Sequence, residues 1–231
     1  MTYPESLFLA LIQGLTEFLP VSSSGHLALA SSLMKVPDGG LAFNIILHLG
    51  TLVAVFLFYG RDIIGIASGV VRRDPSSIRL CLTLVLATVP VAVLGILAGD
   101  FIEGLFQSVL FVSLALSFTG GVLFIFGNGG SGSADKRASM GQGARVGLAQ
   151  AIALFPGVSR SGITISAGLA TGLSREEAAR FSFLLAIPAI TGAAVKELPA
   201  AEWTVPTGIL LAGFAVSAWW VSLPSRFWCA L

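Results

Sequence analysis

Apolar residues come in blocks of membrane-crossing length, and two of those blocks are broken at their centres by polar residues. Residues 6–34 are apolar on either side of Thr16-Glu17-Phe18-Leu19-Pro20-Val21-Ser22-Ser23-Ser24-Gly25-His26. Proline and glycine interrupt a helix there, and broken backbone at membrane depth is tolerated only where protein or a watery cavity covers it. The pattern predicts two half-helices that dip into a bilayer and return on the same side. Unbroken apolar blocks follow at 42–60, 80–98 and 109–126, each close to the ~20 residues a crossing needs. Pro90 predicts a kink in the second. The intervening 61–79 segment reads as a polar loop, and Asp100 and Glu103 mark a short acidic link. Residues 127–143, rich in glycine and serine, predict a flexible linker. The plan then repeats. Residues 145–172 are apolar with a central break at Phe155–Gly162, a span runs from a Ser174 cap to about Val195, and a further apolar segment occupies 207–223.

The two breaks are related. A shift of 137 places Gln13 on Gln150 and Val21-Ser22-Ser23-Ser24-Gly25 on Val158-Ser159-Arg160-Ser161-Gly162. Three crossings after the first dip, an odd number, turn the second copy upside down, as in the inverted repeats of many transporters. The expectation is an all-α polytopic membrane protein: an inverted repeat with two re-entrant broken-helix hairpins and about five full transmembrane spans. Its parts are a first repeat at 1–126, a cytoplasmic Gly/Ser linker at 127–144 and a second repeat at 145–231. The dips enter from opposite faces and meet near the midplane.

Composition sharpens this. Hydrophobic residues make up 55% of the 231, charged residues 11%, and the mean hydropathy is +0.91. Soluble domains carry about 25% charged residues, so the chain belongs in a bilayer. The near-neutral balance leaves no basic face for a nucleic acid. Cys81 and Cys229 have neither disulfide nor metal spacing. The N-terminus lacks the basic region of a cleavable signal peptide. Ten of the lysines and arginines (61, 72, 73, 79, 136, 137, 145, 175, 180 and 226) fall on one face, against Lys35 and Lys196 on the other. The first face is therefore expected to be cytoplasmic, which leaves the N-terminus and the first dip facing outward.

Ionisable groups at membrane depth are costly and mark function. Arg160, with Ser159, Ser161 and Thr164 around it at a helix break, offers a guanidinium, hydroxyls and free backbone donors to a phosphate or carboxylate. Glu17 suits a general base, a metal ligand or a counter-ion to Arg160. His26 suits proton transfer or nucleophilic attack. Ser22, Ser23 and Ser24 suit either chemistry or helix packing. Gln13 and Gln150 are placed to hydrogen-bond across the repeat. His48 reads as structural, and Glu176 and Glu177 as ordinary first-turn acids near the surface.

Gln-Gly-Leu-Thr-Glu-Phe-Leu-Pro-Val-Ser-Ser-Ser-Gly-His at 13–26 and Pro-Gly-Val-Ser-Arg-Ser-Gly-Ile-Thr at 156–164 resemble the two signatures of the undecaprenyl-diphosphate phosphatase family linked to bacitracin resistance. The likeness covers residues 5–219. It implies a bacterial inner-membrane enzyme that hydrolyses undecaprenyl diphosphate to the monophosphate and phosphate, recycling the lipid carrier of cell-wall synthesis. It implies that Gln13 and Glu17 form the family's Glu-or-Gln-x-x-x-Glu motif, with Glu17 a metal ligand alongside Gln13. Ser23 is the implied motif serine, His26 the motif histidine and Arg160 the phosphate-binding arginine, and Mg or Ca is the implied stimulating cation. Ser22, Ser159, Ser161 and Thr164 are expected to join Arg160 around the phosphates, with Ser23 or His26 as nucleophile. A homodimer is compatible with the plan. The competing class is an inverted-repeat transporter or flippase for an anionic or lipid-phosphate substrate. Finally, the second repeat holds only two crossings and Pro224–Leu231 is too short for another. The expectation is that a last span, present in the family, is missing here.

Overall fold

The computed structural model describes the chain apart from residues 37–39, 128, 130, 131, 133–136, 202 and 223–231. The last of these ranges includes Cys229 and the short C-terminal tail, so the expectation about a missing span lies outside the described residues. Those described form eleven α-helices, a single 3-10 turn at Leu198–Ala200 and no strand. The first repeat holds α1 (Tyr3–Thr16), α2 (Ser23–Met34), α3 (Gly40–Phe58), α4 (Gly60–Val71), α5 (Pro75–Leu97), α6 (Gly99–Leu105) and α7 (Val109–Phe126). The second holds α8 (Met140–Ile152), α9 (Arg160–Ala170), α10 (Arg175–Glu197) and α11 (Thr207–Ser222).

Local chemistry sets the ends. Thr2 and Glu5 form a capping box ahead of α1, and Ser139 and Gln142 form another ahead of α8. Each satisfies backbone donors that the first helical turn leaves free. Asp74 accepts from the Ser77 N–H at the start of α5, with Pro75 at the first helical position, where a missing N–H costs nothing. Ser174 caps α10 by accepting from the Glu177 N–H.

Helices α5, α7 and α10 are each long and apolar enough to span a membrane. The α3 and α4 pair passes the same test together but is bent by 74°, and α11 is a shorter apolar helix. Large side chains stay exposed along them, among them Val85, Val89, Val93, Phe124 and Ile125. Such continuous apolar surface belongs in lipid. The chain is a multi-pass membrane protein.

Helix α4 and Glu177 depart from expectation. The 61–79 stretch contains a helix, α4, because Ile63, Ile66 and Val70 recur at helical spacing behind the charged pair Arg61 and Asp62, which suits a helix lying at an interface. And Glu177 is no surface acid. It is 3% exposed, accepts from the Ala138 N–H (3.0 Å) and pairs with Arg180 (3.2 Å), whose other donors reach Asp62 on α4 (2.6 and 3.0 Å).

Packing partners exchange when the two repeats are exchanged. Helix α1 lies on α2 and α11, and its counterpart α8 lies on α9 and α5. Helix α3 meets α11 as α10 meets α5, and α3 and α10 meet each other. The cores follow suit. Leu9, Ala10, Phe43, Leu47, Ile209 and Leu210 fill one side, while Leu80, Ala87, Val146, Phe181 and Leu185 fill the other. Between them Phe18, Leu52, Val55, Phe183 and Ala186 form a central cluster. This two-fold plan brings the two broken hairpins to one place.

Candidate active site

The hairpin tips touch. A Cβ on Gly25 would lie 2.9 Å from the Gly157 Cα, so the chains approach there more closely than any side chain permits. Gly157 itself has φ +91°, and its added Cβ would strike the Val112 carbonyl of α7. The contact is tied by polar bonds. Ser161 Oγ donates to the Leu19 carbonyl (3.2 Å), and Thr119 of α7 accepts from the Ser159 N–H (3.1 Å). On the first tip Ser22 takes φ +68°, a left-handed conformation unusual for a side-chain-bearing residue. Its hydroxyl caps α2 by accepting from the Gly25 N–H (3.3 Å).

Glu17 is the hub of the network. Arg160 Nη2 donates to Oε1 at 2.7 Å, bridging the two repeats. The other carboxylate oxygen, Oε2, accepts from Ser23 Oγ at 2.6 Å and from Gln13 Nε2 at 3.0 Å. His48 Nε2 of α3 stands 3.5 Å from the same oxygen. Arg160 is steadied by Nη1 donation to the Ser182 carbonyl of α10 (3.4 Å). A guanidinium has five N–H donors, so these two bonds leave others to meet a ligand. These groups face a cavity of 790 Å³ lined by Glu17, Ser22, Ser23, Ser24, His48, Gln150, Ser159, Arg160 and Ser161, extending to Lys35, Glu103, Lys196 and Glu197.

Glu17, Ser22, Ser23, Ser159, Arg160 and Ser161 therefore come together at one cavity, as expected. Three other residues stand apart. Thr164 does not line the cavity; its hydroxyl lies 2.6 Å from that of Ser182 and bonds the Arg160 carbonyl, so it supports the arginine from behind. Gln13 is fully buried beneath Glu17 and lines nothing. His26 is half-buried, and its Nδ1 pairs with the Ser22 carbonyl (2.8 Å), pinning the strained turn rather than joining the carboxylate.

His48, read from the sequence as structural, lines the cavity beside Glu17. It lies in an apolar span with no motif around it, and its ring bonds the Asn44 main-chain carbonyl, which any residue there would supply, so the sequence carries no signal for it. Gln150 also lines the cavity, fully buried, and its Oε1 has no hydrogen-bond partner among the described residues.

The donors do not suit a resident divalent ion at Glu17 and Gln13. Both carboxylate oxygens are occupied, a guanidinium adjoins one of them, and Gln13 turns its amide N–H toward the acid. Hard cations want several oxygen ligands, and the described residues hold no cluster of three or more His, Cys, Asp or Glu. What the geometry does offer is a hydroxyl hydrogen-bonded to a carboxylate beside a fixed cation, the parts of an activated nucleophile and an anion clamp.

Comparison with known proteins agrees. The chain is 46% identical to the undecaprenyl-diphosphatase of Alcanivorax borkumensis, covering 94% of this chain and 86% of that protein. It is 41% identical to the undecaprenyl-diphosphatase of Methanosphaera stadtmanae, over 92% of this chain and 83% of that one. The match to the undecaprenyl-diphosphatase of Moorella thermoacetica is 44% over 87% and 79%. The family described as Bacitracin resistance protein BacA matches residues 6–227, nearly the whole chain, with both hairpins inside the match; the chain belongs to that family.

Proposed function

We propose that this cavity hydrolyses undecaprenyl diphosphate to undecaprenyl phosphate and inorganic phosphate, recycling the lipid carrier of cell-wall synthesis and so conferring bacitracin resistance. One observation carries the reading: Ser23, Glu17 and Arg160 form a continuous hydrogen-bonded chain across the two hairpins. A transporter needs an anion-binding cation, but not a hydroxyl donating to a buried carboxylate beside it.

Phosphoryl transfer asks chiefly for positioning and charge stabilisation. Arg160 and the hydroxyls of Ser159 and Ser161 receive the terminal phosphoryl group. Ser23 Oγ attacks its phosphorus as the hydroxyl proton passes to Glu17 Oε2. The bridging P–O bond breaks and its electron pair leaves with the lipid monophosphate. Water then attacks the phosphoserine. The Oγ–P bond breaks, the serine recovers the proton held by Glu17, and phosphate departs as dihydrogen phosphate, carrying both protons of the water. His26 serves this by holding the Ser22 turn that presents Ser23. A divalent cation accompanying the substrate would neutralise charge on the diphosphate and would need no ligand from Glu17 or Gln13.

The enzyme is read as an inner-membrane protein with its N-terminus and first hairpin outside, since Lys35 and Lys196, the lysines of the sparsely charged face, line the cavity. Phosphate release from undecaprenyl diphosphate by the purified chain in detergent tests the function, because transport without a sealed membrane releases nothing. Wild type should turn over, and Ser23→Ala and Glu17→Gln should each lose about 10²-fold or more. No release by wild type overturns the hydrolase reading. Undiminished release by Ser23→Ala removes Ser23 as nucleophile.

A further inference from the structure

We propose that His48 is a positioning residue for the reacting centre: from Nε2 it holds the carboxylate oxygen of Glu17 that receives the Ser23 hydroxyl. The inference rests on the hydrolase reading above. His48 stands on α3, and its Nδ1 lies 2.8 Å from the Asn44 carbonyl oxygen. A carbonyl has no proton to give, so Nδ1 is the donor in that bond. The bond fixes the ring and directs Nε2 across to α1, 3.5 Å from Glu17 Oε2. An ionised carboxylate also only accepts, so a favourable contact there needs an N–H on Nε2. Favourable contacts at both ring nitrogens therefore require an N–H on each.

The consequence falls on the geometry of Glu17. A guanidinium beside a carboxylate favours the two-pronged pairing in which both oxygens turn to the arginine. Arg160 touches Oε1 alone. His48, with Gln13, holds Oε2 on the far side, where it meets Ser23. Without the histidine the carboxylate is free to close onto Arg160, leaving the hydroxyl without its base and the phosphate without part of its clamp.

Two variants of the full chain separate this from a packing role. Glutamine can offer an N–H to the same oxygen; leucine fills the volume and offers none. His48→Leu should lower kcat for phosphate release by about 10²-fold, the scale of a misplaced reacting group, with KM changed by less than about threefold. His48→Gln should keep most of the wild-type kcat. Wild-type kcat in His48→Leu, or equal loss in both variants with unaltered melting, overturns the proposal. A second measurement does not depend on turnover. The chain has two histidines, so nitrogen-15 histidine labelling, with His26→Gln for assignment, shows the His48 ring directly. Protons on both ring nitrogens, with the Nε2 signal moving in Glu17→Gln, are expected. A bare Nε2, or an Nε2 signal indifferent to Glu17→Gln, overturns it. Failure of wild type to hydrolyse sinks the hydrolase reading and leaves this spectrum to decide the contact.

Discussion

Arg160 carries two tasks on separate nitrogens. Nη2 meets Glu17, and Nη1 meets the Ser182 backbone on another helix. A lysine has one ammonium and no fixed fork, so it cannot hold both partners and still face a phosphate. Arg160→Lys should therefore reduce kcat/KM for phosphate release by about 10²-fold or more, the cost of losing a pre-placed charge donor. Its melting temperature in detergent should stay near wild type, since the charge beside Glu17 is kept. Near wild-type turnover in the lysine variant would remove Arg160 from the clamp. What reading the sequence could see at this scale followed from motif chemistry. Ser23 was separated from its neighbouring serines only by the family resemblance, whereas Glu17 and Arg160 stood out because ionisable groups are costly in lipid. His48 did not, because a histidine that bonds its own helix looks the same whether or not its second nitrogen meets a partner. His26 drew more attention than His48 through its place in the motif, yet its ring turns back to the Ser22 carbonyl.

At the scale of elements, apolar block length was a strong guide. The block at 109–126 coincides with α7, and 42–60 differs from α3 by two residues at each end. Helix α4 was hidden because its charges read as a loop, while its isoleucines lack the run length of a span. The capped start of α8 at Met140 lies five residues before the apolar block, since capping and not hydropathy begins a helix. Small residues set how closely the elements meet. A Cβ on Gly147 of α8 would lie 2.5 Å from both the Cα and the carbonyl oxygen of Ala87 on α5. Backbone cannot yield as a side chain can, so Gly147→Ala should separate the two helices and cost about 1–3 kcal/mol. Gly120 on α7 has open space around it, and Gly120→Ala should be neutral or stabilising by up to about 1 kcal/mol. Thermal unfolding of the two variants in one detergent checks this. Equal melting would show that α5 and α8 do not rely on that close approach.

At the scale of the molecule, the two-fold exchange of packing partners explains how one site arises from two ends of the chain. Neither hairpin is sufficient: the first brings Glu17 and Ser23, the second Arg160, and the tips meet at Gly25 and Gly157. The repeat also makes a claim about sidedness. The proposed orientation puts Lys35 and Lys196, which line the cavity, on the outer face, and Arg72 and Arg73, at the end of α4, on the inner one. In a background with Cys81 and Cys229 replaced by serine, single cysteines at Lys35, Lys196 and Arg72 report the face directly. A membrane-impermeant maleimide added to intact cells should label the first two, and should label the Arg72 position only after the membrane is opened. The reverse pattern would turn the protein over in the bilayer, place the site on the cytoplasmic side and set the lysine and arginine asymmetry aside as a guide for this chain. Labelling of Lys35 without Lys196 would contradict the proposed orientation, which puts both of these cavity-lining positions on the outer face.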